Sequence, residues 1–137
     1  MRAILKDTVE VGDALPSCSR QYTLKDFVRG DEKTIHTDQA AAEREGLSGP
    51  VAIGPQVAAL LFRVLRQSFG RAWVEGASCS MTFRRPVSVD AFCTATGIVT
   101  EVERGADGVV VHCDIWVEDG SGTKVIVGNA RSVLVAE

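Results

Sequence analysis

The chain is poor in the residues that build metal and disulfide frameworks, with two histidines and four cysteines in 137 residues. Cys18, Cys79, Cys93 and Cys113 have no C-x-x-C spacing and sit mostly among apolar neighbours. That pattern argues against a zinc site or a disulfide scaffold and for reduced core thiols of a cytosolic protein. Basic charge is also short: 15 Lys and Arg stand against 18 Asp and Glu, a net charge of −3. No global positive field therefore invites nucleic acid or an anionic membrane, and Arg84-Arg85 is one local exception. Long apolar runs are missing at the start, where "MRAILKDTVEVGDALP" carries an acidic residue by position 7. Neither a signal peptide nor an anchor is expected there. No internal repeat, low-complexity tract or dividing linker is present, so residues 1–137 read as one cytoplasmic domain.

What is present suffices for a core, with 45% hydrophobic residues against 24% charged. The first half carries helix signals. Thr23 to Asp26 has capping-box spacing before a short helical turn that Arg29-Gly30-Asp31 breaks. Thr37 or Asp38 is placed to cap "QAAAERE", with Gly46 as its stop. After the loop "LSGPVAIG" comes the longest helical pattern, Pro55 to Phe69, with Gly54 as N-cap and Pro55 at the first helical position. Its first half is apolar almost all round, which predicts a helix wrapped by other structure.

From Trp73 the pattern changes to strands. Four runs, 73–86, 91–103, 109–119 and 123–136, are separated by Pro or Gly-rich links, and residues 14–22 supply a fifth. In the third run Val109, Val111, Cys113, Ile115 and Val117 share one face, and Val110, His112, Asp114, Trp116 and Glu118 the other. Short links predict an antiparallel meander or a near relative. One long helix and about five antiparallel strands make an α+β layer in which the sheet curls round the helix.

One segment fits neither element. "GDEKTIHTDQ", residues 30–39, places His36 five residues after Asp31 on a loop where an imidazole packs little. Taken singly, such a pair is ordinary loop polarity, and Gly54-Pro55 is an ordinary helix start. His112, beside Asp114 and Trp116 on one strand face, reads as a surface or interface residue. Two or three candidate ligands in "HTD" are too few for a structural zinc, so no metal is expected.

The joint order of these features resembles the MaoC-like, R-specific enoyl-CoA hydratase family. Its signature is S-G-D-x-N-P-[IL]-H-x-D, then a small helix and a Gly, then G-x-[IV]-A-x-G opening the central helix. Here the corresponding runs are "RGDEKTIHTD", "AAAEREG" and "GPVAIGPQ". Downstream, "MTFRRPVSVD" and "DGSGTKVIVGNARSVL" resemble the family's strands, so the likeness spans nearly the whole chain. Arg29, Lys33 and Thr34 stand where the family has Ser, Asn and Pro.

The resemblance implies a hotdog fold, a homodimer or higher homo-oligomer, and hydration or dehydration of a 2-enoyl or 3-hydroxyacyl thioester with R stereochemistry. It implies that Asp31 and His36 are the catalytic pair holding one water, and that the Gly54 N–H binds the thioester oxygen. Lys33, Val51, Ala52 and Ile53 are the implied substrate contacts, within a pocket lined by the loop from Leu47 to Ile53 and the central helix. Arg84 and Arg85, with Arg131 a further candidate, are suited to coenzyme A phosphates. The partner implied is an acyl-CoA or acyl-carrier-protein thioester, with no cofactor. Two alternatives stay open: an acyl-CoA thioesterase on the same fold, and a non-catalytic acyl-thioester-binding protein in which Lys33 pairs with Asp31 and withdraws it from the water.

Overall fold

The structure, a computed structural model, describes residues 2–134. Five strands form one antiparallel sheet: β1 (Cys18–Gln21), β2 (Ser78–Phe83), β3 (Phe92–Gly105), β4 (Gly108–Glu118) and β5 (Lys124–Leu134). Their spatial order is β1-β3-β4-β5-β2. Only β3, β4 and β5 form the expected meander. β2 pairs with β5 rather than with the strand that follows it, leaving β2 and the four-residue β1 at the two edges. Residues 135 and 136, assigned above to the last run, lie outside the described residues.

Three helices precede or interrupt the strands: α1 (Gln39–Arg44), α2 (Gly54–Phe69) and α3 (Arg71–Gly76). Asp38 caps α1 by accepting from the Ala41 N–H at 2.9 Å, and Gly46 follows with φ 81°. A single 3-10 turn spans Leu24–Asp26, where Asp26 accepts from the Thr23 N–H at 2.8 Å. The first strand run is corrected at its start, because Trp73 to Gly76 are helical. Trp73 stacks on Phe69 at the end of α2, and this packing outweighs the local strand propensity of Trp and Val.

The concave sheet face packs on α2. Leu61, Val64 and Leu65 are fully buried and meet Val111, Cys113, Ile115 and Val117 in one core cluster. Full burial of such a side chain contributes roughly 1.5–3 kcal/mol. The outer flank of α2 is not wrapped as the sequence suggested: Pro55, Ala59 and Arg63 are exposed, and Phe62 is 42% exposed. Gly97, Ile115, Gly128 and Met81 lie in one row across the sheet. A Cβ at Gly97 would stand 2.5 Å from the Asp114 carbonyl oxygen, and one at Gly128 would overlap that of Ser80. Their missing side chains let the sheet coil tightly where the helix sits.

Candidate active site

Residues 32–38 are a tightly hydrogen-bonded loop. Thr34 Oγ1 accepts from the His36 N–H at 3.1 Å, and the Thr34 N–H donates to Thr37 Oγ1 at 3.2 Å. The Thr34 carbonyl accepts from the N–H groups of Thr37 (3.1 Å) and Asp38 (2.9 Å). The last of these residues is the α1 cap, so loop and helix are continuous.

This loop is tied to the segment leading into α2. The Val51 N–H donates to the Ile35 carbonyl at 3.0 Å, and His36 Nδ1 lies 2.8 Å from the Val51 carbonyl oxygen. A carbonyl only accepts, so Nδ1 carries the proton and Nε2 of the neutral ring keeps its lone pair. Val51 in turn bridges to Ser88, and the Ala52 N–H donates to the Val87 carbonyl at 2.6 Å. Residues 51–52 are thus clamped between the histidine loop and the chain leaving β2.

The helix α2 begins one residue earlier than the sequence indicated. Ile53 is its N-cap, Gly54 its first helical residue, and Pro55 follows. The Gln56 and Val57 N–H groups turn back to the Ile53 carbonyl, whereas the Gly54 N–H has no acceptor among the described residues. It lies at the positive end of a 16-residue helix. Tyr22 steadies this end by donating its hydroxyl to the Gln56 carbonyl at 3.1 Å. Burial pushes the Tyr22 phenol up to about 12, so it stays a neutral donor.

A pocket of about 300 Å³ opens at this helix start. Val51, Ala52 and Gly54 line one side and Phe83, Arg84 and Arg85 the other, with Val57 and Ile126 among the remaining wall residues. The predicted residues therefore divide. Val51, Ala52, Gly54, Arg84 and Arg85 meet in the pocket; His36, Ile53, Lys33 and Asp31 do not line it, and His36 is bonded to one residue that does, Val51. Arg84 and Arg85 are exposed at its rim, held by N–H bonds from both to the Val125 carbonyl. Asp31 and Lys33 are exposed, and no ion pair joins them, so the withdrawal of Asp31 by Lys33 weighed above is not formed. Arg131 lies away from the rim, on the outer sheet face opposite Ser78 and His112.

Phe83 was missed in the sequence. It is 55% exposed, and its ring lies over Gly54, Cε1 being 3.2 Å from where a Cβ would stand. The available signal was its place beside Arg84 at the end of an alternating strand. His112 sits outside this region, with Nε2 3.3 Å from Glu103 and 3.9 Å from Glu101. Among the described residues that trio is the one group spaced to hold a metal ion, and both carboxylates are exposed. All four cysteines are free, and burial pushes Cys93 up to about 11 and Cys113 to about 12, which leaves both as unreactive thiols. A larger hollow of about 590 Å³ lies at the other end of β5, between the N-terminal segment and the β3–β4 turn, and none of the candidate side chains lines it.

A curled antiparallel sheet wrapped round one long helix, with a pocket at the helix start, defines a hotdog-fold protein. The MaoC like domain model matches residues 5–119, and the chain belongs to that family. Its fold is similar to an (R)-hydratase from A. caviae involved in PHA biosynthesis, with TM-score 0.72 and 22% identity over 93% of this chain and 98% of that one. It is likewise similar to the R-hydratase PhaJ1 from Pseudomonas aeruginosa in the unliganded form, with TM-score 0.70 and 21% identity over 94% and 84% of the two chains. The ChsH1–ChsH2 complex from Mycobacterium tuberculosis matches with TM-score 0.69 and 18% identity over 93% and 98%. None of the curated protein sequences matches the chain. No helix among the described residues is long and apolar enough to cross a membrane.

Proposed function

We propose that this protein adds water to a 2-enoyl thioester, or removes it from the corresponding (R)-3-hydroxyacyl thioester, as a homodimer. The observation that carries the proposal is the bond between His36 Nδ1 and the Val51 carbonyl. It leaves Nε2 with its lone pair, and Val51, whose carbonyl makes it, lines the pocket together with Gly54.

In this mechanism a water held by His36 and Asp31 attacks the β-carbon. Its oxygen forms the new C–O bond while one of its protons passes to the pair. The π electrons move to the thioester oxygen, and the enolate accepts a hydrogen bond from the Gly54 N–H, reinforced by the α2 dipole. A proton returned to the α-carbon completes the addition, so water is consumed and the pair is regenerated. Asp31 and His36 act as a coupled unit. The thioester is carried by coenzyme A or an acyl carrier protein, and Arg84 and Arg85 at the rim suit its phosphate. Val57 and Ile126 offer an apolar wall for the acyl group.

The test follows the absorbance of the conjugated enoyl thioester, with crotonyl-CoA and a longer analogue, for wild type beside His36→Ala and Asp31→Asn. Loss of absorbance in wild type, with rates reduced on the order of 10²-fold to 10⁴-fold in each variant, supports the assignment. A fully active His36→Ala protein overturns it. A thiol-trapping dye in the same assay separates hydration from thioester hydrolysis.

A further inference from the structure

We propose that Thr34 is the positioning residue for His36, setting by hydrogen bonds both where the imidazole stands and which of its nitrogens carries the proton. This deepens the function proposed above and rests on it for its kinetic consequence. Its geometry is independent of that function.

His36 lies on a loop that is neither helix nor strand, so no regular backbone pattern fixes its ring. Thr34 supplies what the loop lacks. Its Oγ1 accepts from the His36 N–H two residues on at 3.1 Å, the pattern of a Ser/Thr turn. Its N–H donates to Thr37 Oγ1 at 3.2 Å, and that hydroxyl donates to the Glu32 carbonyl at 3.3 Å. With its hydroxyl also 3.5 Å from Thr37 Oγ1 and its carbonyl accepting from Thr37 and Asp38, Thr34 takes part in five bonds that close residues 32–38.

The consequence falls on the ring. With the His36 main chain fixed at one end and Ile35 held by the Val51 N–H, Nδ1 meets the Val51 carbonyl at 2.8 Å. A free neutral imidazole carries its proton mainly on Nε2. Here the carbonyl requires a donor, so the proton sits on Nδ1 and the lone pair on Nε2. Without the Thr34 hydroxyl the His36 N–H loses its acceptor, the bond of Nδ1 to Val51 weakens, and the tautomer shifts toward Nε2.

Thr34 touches no substrate in this scheme. Thr34→Val removes the hydroxyl while keeping shape, and Thr34→Ser keeps the hydroxyl. With only two histidines in the chain, imidazole ¹⁵N shifts at mildly alkaline pH can be assigned by comparison with His36→Ala. Wild type and Thr34→Ser are expected to show the His36 proton on Nδ1, and Thr34→Val to shift it toward Nε2. On crotonyl-CoA, kcat of Thr34→Val should fall about 10-fold to 100-fold with KM little changed, and Thr34→Ser should restore it. If wild type hydrates no enoyl thioester but the proton still moves in Thr34→Val, the positioning role stands and the proposed function falls. A Thr34→Val protein that keeps the proton on Nδ1 overturns the inference. So does a Thr34→Ser protein that loses it, which keeps the test decisive should Thr34→Val fail to fold.

Discussion

At the scale of single residues, the pocket turns on what Gly54 lacks. Its N–H needs an open approach, and the Phe83 ring already occupies the space beside it, with three ring carbons 3.2–3.8 Å from the position of a Cβ. Gly54→Ala should therefore push the ring into the pocket and lower kcat/KM on crotonyl-CoA by about 10-fold to 100-fold, the scale of a displacement near 1 Å. Adding Phe83→Leu should recover much of the loss. Unchanged activity in Gly54→Ala alone would mean that the ring yields freely and the glycine serves only the backbone. The loop that carries Asp31, Lys33 and His36 was legible as a segment that is neither helix nor strand, since the three lie within six residues of one another, but their relation to the pocket was not. The His36–Val51 bond spans fifteen residues, and no local pattern announces it.

At the scale of elements, α2 and the glycine row define the concave face. Leu61 is fully buried in the middle of α2, so Leu61→Ala should cost about 2–5 kcal/mol in urea unfolding, with most of the variation set by how far the core collapses. Gly128→Ala forces β5 away from Ser80 of β2 and should cost about 1–3 kcal/mol, an overpacking effect. A neutral result there would say that the edge strand shifts easily. The long helix and strands β3 to β5 were legible from periodicity, since their patterns run for eleven residues or more. The six-residue α3 was not, because Trp73 and Val74 favour a strand locally and the helix packs Trp73 against the Phe69 ring, which lies outside that local pattern.

At the scale of the whole molecule, two properties follow. Tyr22, Cys93 and Cys113 all have folded values raised above their ordinary ones, Tyr22 from 10.0 to about 12 and the thiols from 9.0 to about 11 and about 12. Each favours its neutral form in the native state. The stability they contribute is complete below the unfolded values and is lost as pH rises through the folded ones. Unfolding free energy should be insensitive to these groups near neutrality and fall from about pH 9 upward. For Tyr22 alone the change is on the order of 2–3 kcal/mol by pH 12. Denaturant titrations across that range test it, and Tyr22→Phe should flatten part of the slope. The second is the assembly proposed above. β2 is an edge strand with Phe83 exposed at its end, and unpaired strand edges invite pairing. Sedimentation should give twice the 14.7 kDa of one chain, and a monomer at assay concentrations would remove the dimer from the proposal.

The sequence by itself determined the long helix and most of the strands, the loop carrying Asp31 and His36 and, through the order of these features, the family. These are local or evenly spaced signals, carried by neighbours a few residues apart. Only the tertiary structure decided that β2 joins β5 at the sheet edge, that Phe83 covers Gly54, and that Arg131 faces away from Arg84 and Arg85. It also decided that the proton of His36 points to Val51. Those outcomes depend on which distant segments pack together, and packing is set by the free energy of the whole chain rather than by any stretch of it.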